Sequence, residues 1–500
     1  MLGIDALDCL LLDEFADHLP NLSALRESAN GLRVRSTFPP DSDTAWATIS
    51  TGLNPAQHGI VRFVDPLEKS YQILNVGIDN GILQGKTFWE IIGRAGYQTF
   101  AIFPHLCYPI WQTPGVMVAR GSNVVDVQAN PPDILGDYPN PDILPGVRGF
   151  PERGLAGMNE YIRKLTDLTR SDAEFALTLM QKHEWDLFFV YWSTLDAIGH
   201  FFWSYFDPDD PSFTEGHPLQ GVIRDAYKLY DEIVGRCLDT IDDDVTVILV
   251  SDHGHGIRPC KLANVNEVLR QGGFLTARNL QTHPHIGACE KVKRLGVHTI
   301  SRLGLGRIAG RMMRRFPGAI QAFTRPASID WEKTIAYASD MSGIKAYSYG
   351  GIIVNQSGLG QREYETVRKE IIELLQETCV LPDGESMIRF VARREDLYSG
   401  PFVTNYPDIV LEFKYGYGLG WAVHAPLITE AASHNLVPGS HRGDTGTFLM
   451  RGHRPAVRDA VDLHDITPTL LDLMGVTSEQ AYDGSSILAP EPGEIAVTVD

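Results

Sequence analysis

Short runs of apolar residues alternate with longer amphipathic segments along most of this chain. The apolar runs, each short enough for a strand buried on both faces, are 1–4, 97–103, 185–192 and 245–250. The segments whose apolar residues have helical spacing are 86–95, 159–183 and 221–241. Strands that alternate with helices in this way form a parallel sheet. The pattern therefore predicts an α/β protein with a mostly parallel sheet.

The second half of the chain adds a smaller unit to this alternation. A predicted strand at 331–338 is followed by a small α+β unit, which consists of two predicted strands, 350–355 and 387–395, and an amphipathic helix, 362–378. The apolar run 407–413 is expected to return to the main sheet, and the Pro- and Asn-rich segment 121–153 to be a long loop. We therefore predict a core of residues 1–260, 331–344 and 406–500, with an inserted cap of residues 261–330 and 345–405.

Composition limits the classes of protein to consider. An apolar share of 43% is typical of a soluble globular chain, and 500 residues allow one large α/β domain with an insertion. A formal net charge of −20 argues against a nucleic-acid polymer as partner, because proteins that bind one are basic. The cysteines form no CxxC pair, and the chain shows neither a signal sequence nor an apolar run of membrane-spanning length. A cytoplasmic protein without a transmembrane segment is therefore expected.

One segment, 291–325, reverses the acidic character of the chain. It carries nine Lys and Arg residues and no acidic residue. Such a segment forms either a solvated helical face, a basic lid over an anionic substrate, or a surface for peripheral contact with a membrane.

Polar side chains follow the predicted buried strands at the points where those strands end. Asp5 follows the first strand, and Asp252 and His253 follow the strand 245–250. Asp196 and His200 come just after the strand 185–192, and their spacing of four places both on one face of a helical turn. Because open α/β sheets place their chemistry at the carboxyl ends of strands, these groups are candidates for one site.

Two further candidates lie in turns. Ser42 is on a Pro- and Asp-rich turn, and His441 is in a glycine-rich turn before another strand. A serine hydroxyl is a poor nucleophile unless a base or a metal ion withdraws its proton, and no sequence neighbour of Ser42 is an obvious base. Carboxylates with imidazoles suit Zn²⁺, Mn²⁺ or Fe, and the collected groups suffice for two metal ions. Taken alone, Asp5 could equally be a helix cap and His200 a core residue.

Six motifs occur along the chain in an order that is known from one superfamily. They are GID at 3–5, FPPDSDTAWATISTGLNPAQHGI at 38–60, LDAIGHFFW at 195–203, SDHGHG at 251–256, GSHRGDTG at 439–446 and DITPTLLDLMG at 465–475. In this ordered set the chain resembles the alkaline phosphatase superfamily, within its type I phosphodiesterase/nucleotide pyrophosphatase branch. It is similar there to microbial predicted phosphohydrolases or phosphomutases. The resemblance implies an alkaline-phosphatase-like three-layer sandwich with helices on both faces of the sheet and a smaller inserted α+β cap.

The same resemblance implies a role for each candidate. Ser42 corresponds to the nucleophile and also to a metal ligand. The implied ligands of one metal ion are Asp196, His200 and His441, and those of the other are Asp5, Ser42, Asp252 and His253. Two divalent ions are expected, with Zn²⁺ favoured over Mn²⁺. His58 matches a position that is structural in the family, and we leave it out of the site.

The implied function is metal-dependent hydrolysis of a small-molecule phosphoester, of the phosphodiesterase or nucleotide pyrophosphatase type, through a phosphoserine intermediate. One alternative is a phosphomutase or phosphotransferase on the same site. A second alternative is a non-catalytic binding protein that keeps the fold. Head-group, nucleotide and sugar phosphates all stay open as substrates.

Overall fold

A computed structural model gives the fold of the chain. It describes residues 1–61, 80–121, 127–137, 151–152, 154–279, 328–339, 346–431, 434, 437–456 and 458–488, with isolated positions at 292, 295, 296 and 299. The basic segment 291–325 lies almost wholly outside the described residues, so its three interpretations stay predictions.

The described elements begin with a strand and end with a helix. The strands are β1 Leu2–Ile4, β2 Asn30–Arg35, β3 Thr99–Ile102, β4 Val116–Arg120, β5 Val127–Asn130, β6 Leu187–Trp192, β7 Val247–Val250, β8 Gly254–Ile257, β9 Lys261–Asn264, β10 Ala336–Ser339, β11 Tyr349–Val354, β12 Ile388–Arg393, β13 Ile409–Phe413, β14 Tyr417–Gly420, β15 Ile428–Glu430, β16 Gly439–Arg442, β17 Gly446–Arg451 and β18 Ala460–Asp462. The α-helices are α1 Cys9–Glu14, α2 Pro20–Ser28, α3 Ser42–Thr51, α4 Pro55–His58, α5 Phe88–Arg94, α6 Gly154–Lys182, α7 Thr194–Phe206, α8 Val222–Thr240, α9 Val265–Gln271, α10 Tyr364–Thr378, α11 Arg394–Leu397 and α12 Ile466–Leu473.

A nine-stranded sheet forms the centre of the fold, in the order β18-β2-β17-β7-β1-β6-β3-β4-β5. Strand β1 pairs in parallel with β6 and β7, and β3 pairs in parallel with β4 and β6. Strand β17 runs antiparallel to its neighbours β2 and β7, and β5 runs antiparallel to β4 at the sheet edge. The predicted α/β class with a mostly parallel sheet is confirmed.

Helices cover both faces of this sheet, as alternate residues of β6 show. Phe188 and Val190 pack into an apolar core with α1, α2, α6, α7 and α8. Phe189 and Tyr191 point to the opposite face and pack with α3, α5 and α12. A strand covered on both faces must be apolar throughout, which explains the uninterrupted run LFFVYW.

A separate apolar core belongs to the cap, where α9 and α10 pack on the antiparallel sheet β10-β11-β13-β12. This sheet is the predicted small α+β unit, but one prediction about it is wrong. The run 407–413 does not return to the main sheet, because β13 pairs with β11 and β12. An apolar strand of this kind fits either sheet, and its own residues do not specify its partners. Strand β10, which lies in the segment 331–344 of the predicted core, also pairs within this cap sheet, and the other predicted boundaries stay predictions.

Two local expectations also differ from the structure. The segment 121–153, predicted to be a loop, contains β5 at the edge of the main sheet. His441, predicted in a turn, lies on the short strand β16, which pairs with β8. Among the described helices, none combines the length and the apolar character needed to cross a membrane.

Candidate active site

Three neighbouring strands bring the predicted site residues to one edge of the main sheet. Strands β7, β1 and β6 are adjacent and parallel. Asp252 comes shortly after β7 and Asp5 directly after β1, while α7, which carries Asp196 and His200, follows β6. The carboxyl ends of parallel strands meet at one edge, so side chains far apart in sequence become neighbours there.

Ser42 is the first residue of α3, whose N-terminal end faces this edge. The side chain of Asp41 caps the helix. The helix packs against β1 through Trp46, opposite Gly3, where a β-carbon would lie 2.7 Å from Cη2 of Trp46. The absence of a side chain at Gly3 therefore lets the helix approach the strand closely enough to bring Ser42 beside Asp5.

The first group of side chains contains Asp5, Asp252 and His253, all buried. The Ser42 hydroxyl oxygen lies 3.4 Å from Oδ1 of Asp5 and 3.2 Å from Nε2 of His253. The same Nε2 lies 3.1 Å from Oδ2 of Asp252. Ala6 takes a φ of 60°, which is unusual for a residue with a side chain, and donates its N–H to Oδ1 of Asp252 at 3.1 Å. The structure thus brings together the residues assigned to one predicted metal ion.

The second group centres on Asp196. Its Oδ1 lies 3.4 Å from Nε2 of His200 and 3.4 Å from Nε2 of His441. The two imidazole Nε2 atoms are 3.0 Å apart. The ring of His441 also stacks on His253 of the first group, with the ring centroids 4.0 Å apart. The residues assigned to the other predicted ion therefore also lie together, directly beside the first group.

His255 joins the second group, although the sequence interpretation did not include it. Its Nδ1 lies 3.6 Å from Oδ1 of Asp196, and its ring packs against Gly199, where a β-carbon would be 2.7 Å away. The available signal was the spacing of two between His253 and His255, which places both side chains on one side of an extended segment. The interpretation of SDHGHG as a glycine turn did not predict the strand β8. In that strand His255 is paired opposite His441.

Main-chain carbonyl groups fix the orientation of three of these rings. His200, His253 and His441 each place Nδ1 near a carbonyl oxygen. The carbonyl groups and distances are, in that order, Gly439 at 3.0 Å, Gly254 at 3.0 Å and Pro40 at 2.6 Å. A carbonyl oxygen can only accept, so Nδ1 carries the hydrogen and a neutral ring presents the lone pair of Nε2 to the carboxylates. This arrangement is the usual one for histidines that bind metal ions.

The carboxyl groups of the first group are held in surroundings that oppose their negative charge. Burial, with the charges of Asp252 and Asp196 nearby, raises the pKa of Asp5 well above its ordinary value. Burial also raises the pKa of Asp252 to about 8. Burial lowers the pKa of His253 well below its ordinary value, so this ring supplies no positive charge. A bound cation would offset this accumulation of buried negative charge.

Several buried polar atoms at the site have no hydrogen-bond partner among the described residues. They are Oδ1 of Asp196, Oδ2 of Asp252 and both ring nitrogens of His255. An unpaired buried polar atom is costly, and a buried carboxylate oxygen more so. Divalent metal ions such as Zn²⁺ or Mn²⁺ take carboxylate and imidazole ligands of this kind. The donor set therefore fits metal ions in both groups.

His58, which the sequence interpretation left out of the site, lies in the protein core. Its Nε2 is 2.9 Å from Oγ1 of Thr48, and its Nδ1 accepts the N–H of Ile60 at 3.1 Å. Burial lowers its pKa to about 3, so the ring is a neutral member of the core.

The fold and the site together define a class of protein: an alkaline-phosphatase-like α/β enzyme in which a serine adjoins two groups of carboxylates and imidazoles. The chain belongs to the type I phosphodiesterase/nucleotide pyrophosphatase family, whose model matches residues 1–419. The predicted family is thereby confirmed, and the chain is a phosphoester hydrolase of the phosphodiesterase/pyrophosphatase type.

Two solved structures are similar to this chain at low sequence identity. The phosphonoacetate hydrolase from Sinorhizobium meliloti 1021, in complex with phosphonoacetate, is 12% identical, with a TM-score of 0.53 and 95% of each chain covered. Human ectonucleotide pyrophosphatase/phosphodiesterase 5 is 13% identical, with a TM-score of 0.49 and 97% of each chain covered. Comparison with curated proteins gives no match. At this identity, the likeness to the phosphonoacetate hydrolase supports the fold alone.

Proposed function

We propose that this protein hydrolyses small-molecule phosphodiesters through a phosphoserine intermediate on Ser42, with the help of two divalent metal ions, Zn²⁺ foremost. The observation that carries the proposal is the position of the Ser42 hydroxyl oxygen, 3.4 Å from Asp5 and 3.2 Å from His253. Its neighbours are thus the side chains that would bind a metal ion.

Each group of side chains would hold one ion. The residues are Asp5, Ser42, Asp252 and His253 for the first ion, and Asp196, His200, His441 and additionally His255 for the second. When bound, an ion in the first group would lower the pKa of the Ser42 hydroxyl, and an ion in the second group would offset the negative charge that develops on the leaving oxygen.

Ser42 performs the covalent step. Its oxygen attacks phosphorus in line, so that the bond from Oγ to phosphorus forms while the bond from phosphorus to the leaving oxygen breaks. Ser42 begins α3, and the N-terminal end of a helix favours the negative charge of a phosphoryl group. Water then attacks the phosphoserine, the bond from phosphorus to Oγ breaks, and one proton of that water restores the Ser42 hydroxyl, whose own proton left with the departing alcohol. A phosphomutase would differ in the second step alone, where a second hydroxyl replaces water.

The proposal is tested with chelated protein, to which Zn²⁺ or Mn²⁺ is added back, and with bis-p-nitrophenyl phosphate and p-nitrophenyl phosphate as substrates. We expect no turnover after chelation, recovery with either ion, and a higher kcat/KM for the diester. Turnover that survives chelation would contradict the role of the metal ions. A preference for the monoester would contradict the assignment as a diesterase.

A further inference from the structure

A cavity of about 330 Å³ lies beside the second group of side chains, between the core and the cap. His441 is one of the residues that line it, so the cavity adjoins the candidate active site. Ile257 of β8 contributes to the wall from the core, while Arg389 of β12 and Glu412 of β13 contribute from the cap. A space of this size accommodates a small organic group.

Two guanidinium groups, those of Arg389 and Arg442, line the cavity. Arg389 is held between two acids, 3.3 Å from Glu412 and 3.2 Å from Asp444. For Arg442, the described residues offer a single carboxylate within 4.0 Å, that of Asp444 at 4.0 Å, which is too far for a hydrogen bond. The guanidinium of Arg442 lies over the ring of Tyr415, 5.1 Å from its centroid. The side chain is thus positioned while its N–H donors stay available.

The nearby acids Glu412 and Asp444 equal Arg389 and Arg442 in formal charge, but among the described residues neither acid is within hydrogen-bond distance of Arg442. Asp444 is shared by both arginines. Burial raises the pKa of Glu412 to about 7, so its carboxyl group neutralises Arg389 incompletely at neutral pH. Lys414, which also lines the cavity, is paired with Glu385 at 2.9 Å. The available N–H donors of Arg442, beside the guanidinium of Arg389, therefore favour an anionic ligand in this cavity.

We propose that this cavity binds an anionic group, a carboxylate or a phosphate, that is carried by the leaving alcohol of the substrate. The inference rests on the proposed function, in which His441 belongs to the residues beside the leaving oxygen. Because His441 also lines the cavity, the part of the substrate beyond the leaving oxygen enters it and meets Arg442 and Arg389. Guanidinium groups bind carboxylates and phosphates through paired hydrogen bonds. The substrate class is therefore a diester whose leaving alcohol bears a second acidic group.

Three synthetic diesters test this assignment. All have a methyl group as the non-leaving ester and a 4-nitrophenol as the leaving group, which carries hydrogen, a carboxylate or a phosphonate at one ring position. The quantity compared is the ratio of kcat/KM for an anionic diester to kcat/KM for the neutral diester. We expect this ratio to exceed one in the wild type for both anionic leaving groups. Arg389→Gln and Arg442→Gln should each lower this ratio about tenfold, because each removes a charge-assisted hydrogen bond.

Arg393→Gln is the matched control. Arg393 lies on the same strand, β12, is 47% exposed against 45% for Arg389, and is likewise paired with an acid, Asp396, but it does not line the cavity. Its substitution should leave the ratio unchanged. Metal content is measured in every variant, because Arg442 is adjacent to His441. If Arg442→Gln loses metal, Arg389→Gln decides the question by itself.

The outcomes separate the two proposals. A wild-type ratio near one, or a ratio that stays unchanged in Arg389→Gln, overturns the assignment of the cavity. Turnover of the neutral diester would still uphold the proposed function in that case. Failure to cleave any of the diesters with metal ions present overturns both. A preference for the carboxylate or for the phosphonate identifies the source of the anion. As a check that needs no variant, the carboxylated nitrophenol should inhibit the wild-type enzyme more strongly than 4-nitrophenol, and equal inhibition contradicts the assignment.

Discussion

The Ser42 hydroxyl oxygen lies 3.2 Å from Nε2 of His253, but the two residues do not form part of a serine–histidine–aspartate triad. In such a triad the aspartate accepts the Nδ1–H of the imidazole. Here Nδ1 of His253 faces the carbonyl oxygen of Gly254, while Nε2 faces both Ser42 and, at 3.1 Å, Asp252. Hydroxyl, imidazole and carboxylate therefore converge on one point, as ligands of a metal ion do.

Ser42→Ala should separate catalysis from metal binding. Three of the four proposed ligands of the first ion remain in this variant, so we expect metal content close to that of the wild type. The nucleophile is lost, so kcat should fall by about 10⁴-fold or more. Mass spectrometry of the metal content together with diesterase kinetics checks both parts. Turnover near the wild-type rate would show that another group attacks phosphorus.

Asp196→Asn should remove one metal ion. The carboxylate of Asp196 is the common neighbour of His200 and His441, and an amide is a much weaker ligand. We expect the stoichiometry to fall from two ions to one per chain and activity to be lost. Asp225→Asn is the control, because Asp225 is 60% exposed on α8. Full occupancy of both ions in Asp196→Asn would exclude Asp196 as a ligand.

His255→Asn tests the residue that the sequence interpretation missed. We expect the affinity for the second ion to fall by about 10- to 100-fold, because His255 either binds the ion or orients Asp196. The control is His58→Asn, another buried histidine, whose loss leaves the hydroxyl of Thr48 without its partner. That control should reduce the free energy of unfolding by about 1–3 kcal/mol without changing metal affinity. Metal titration and urea unfolding of both variants distinguish the two roles, and equal metal affinities would remove His255 from the site.

The buried pair His434–Asp210 predicts a pH dependence of stability away from the metal groups. Nε2 of His434 lies 3.0 Å from Asp210, and Cys260 lies 3.6 Å from its Nδ1. Although burial opposes the charge, Asp210 and Cys260 raise the pKa of His434 from 6.5 to about 9. The folded state binds this proton more tightly, so the stabilisation is complete below pH 6.5 and is lost as the pH rises through about 9.

The difference between these two pKa values corresponds to about 3 kcal/mol in the free energy of unfolding. Asp210→Asn should remove most of this loss, so its stability should change less between pH 6.5 and 9.5. Urea unfolding at several pH values measures both proteins. The same pH dependence in the two proteins would show that His434 has no raised pKa.

Several site residues could be predicted from the sequence because each has a local signature. Asp5 and Asp252 follow short buried strands, and Asp196 and His200 have the spacing of one helical face. A parallel sheet then brings strand ends together whatever their distance in the sequence. The assignment of roles to Ser42 came from the ordered motifs and not from its neighbours.

The features that were missed depend on pairing between distant segments. His255 is placed by the pairing of β8 with β16, and nothing adjacent in the sequence indicates that His441 lies opposite it. Similarly, IVLEF at 409–413 has the apolar pattern of a buried strand, which is the same in the main sheet and in the cap. The cavity that Arg389 and Arg442 line lies between core and cap, so no single sequence motif predicts it.

The stereochemical course at phosphorus tests the phosphoserine mechanism most directly. Two successive in-line displacements, first by Ser42 and then by water, each invert phosphorus. We therefore predict overall retention when a phosphorothioate diester of defined configuration is hydrolysed in isotopically labelled water. Overall inversion would show a single displacement by water and would contradict Ser42 as the nucleophile.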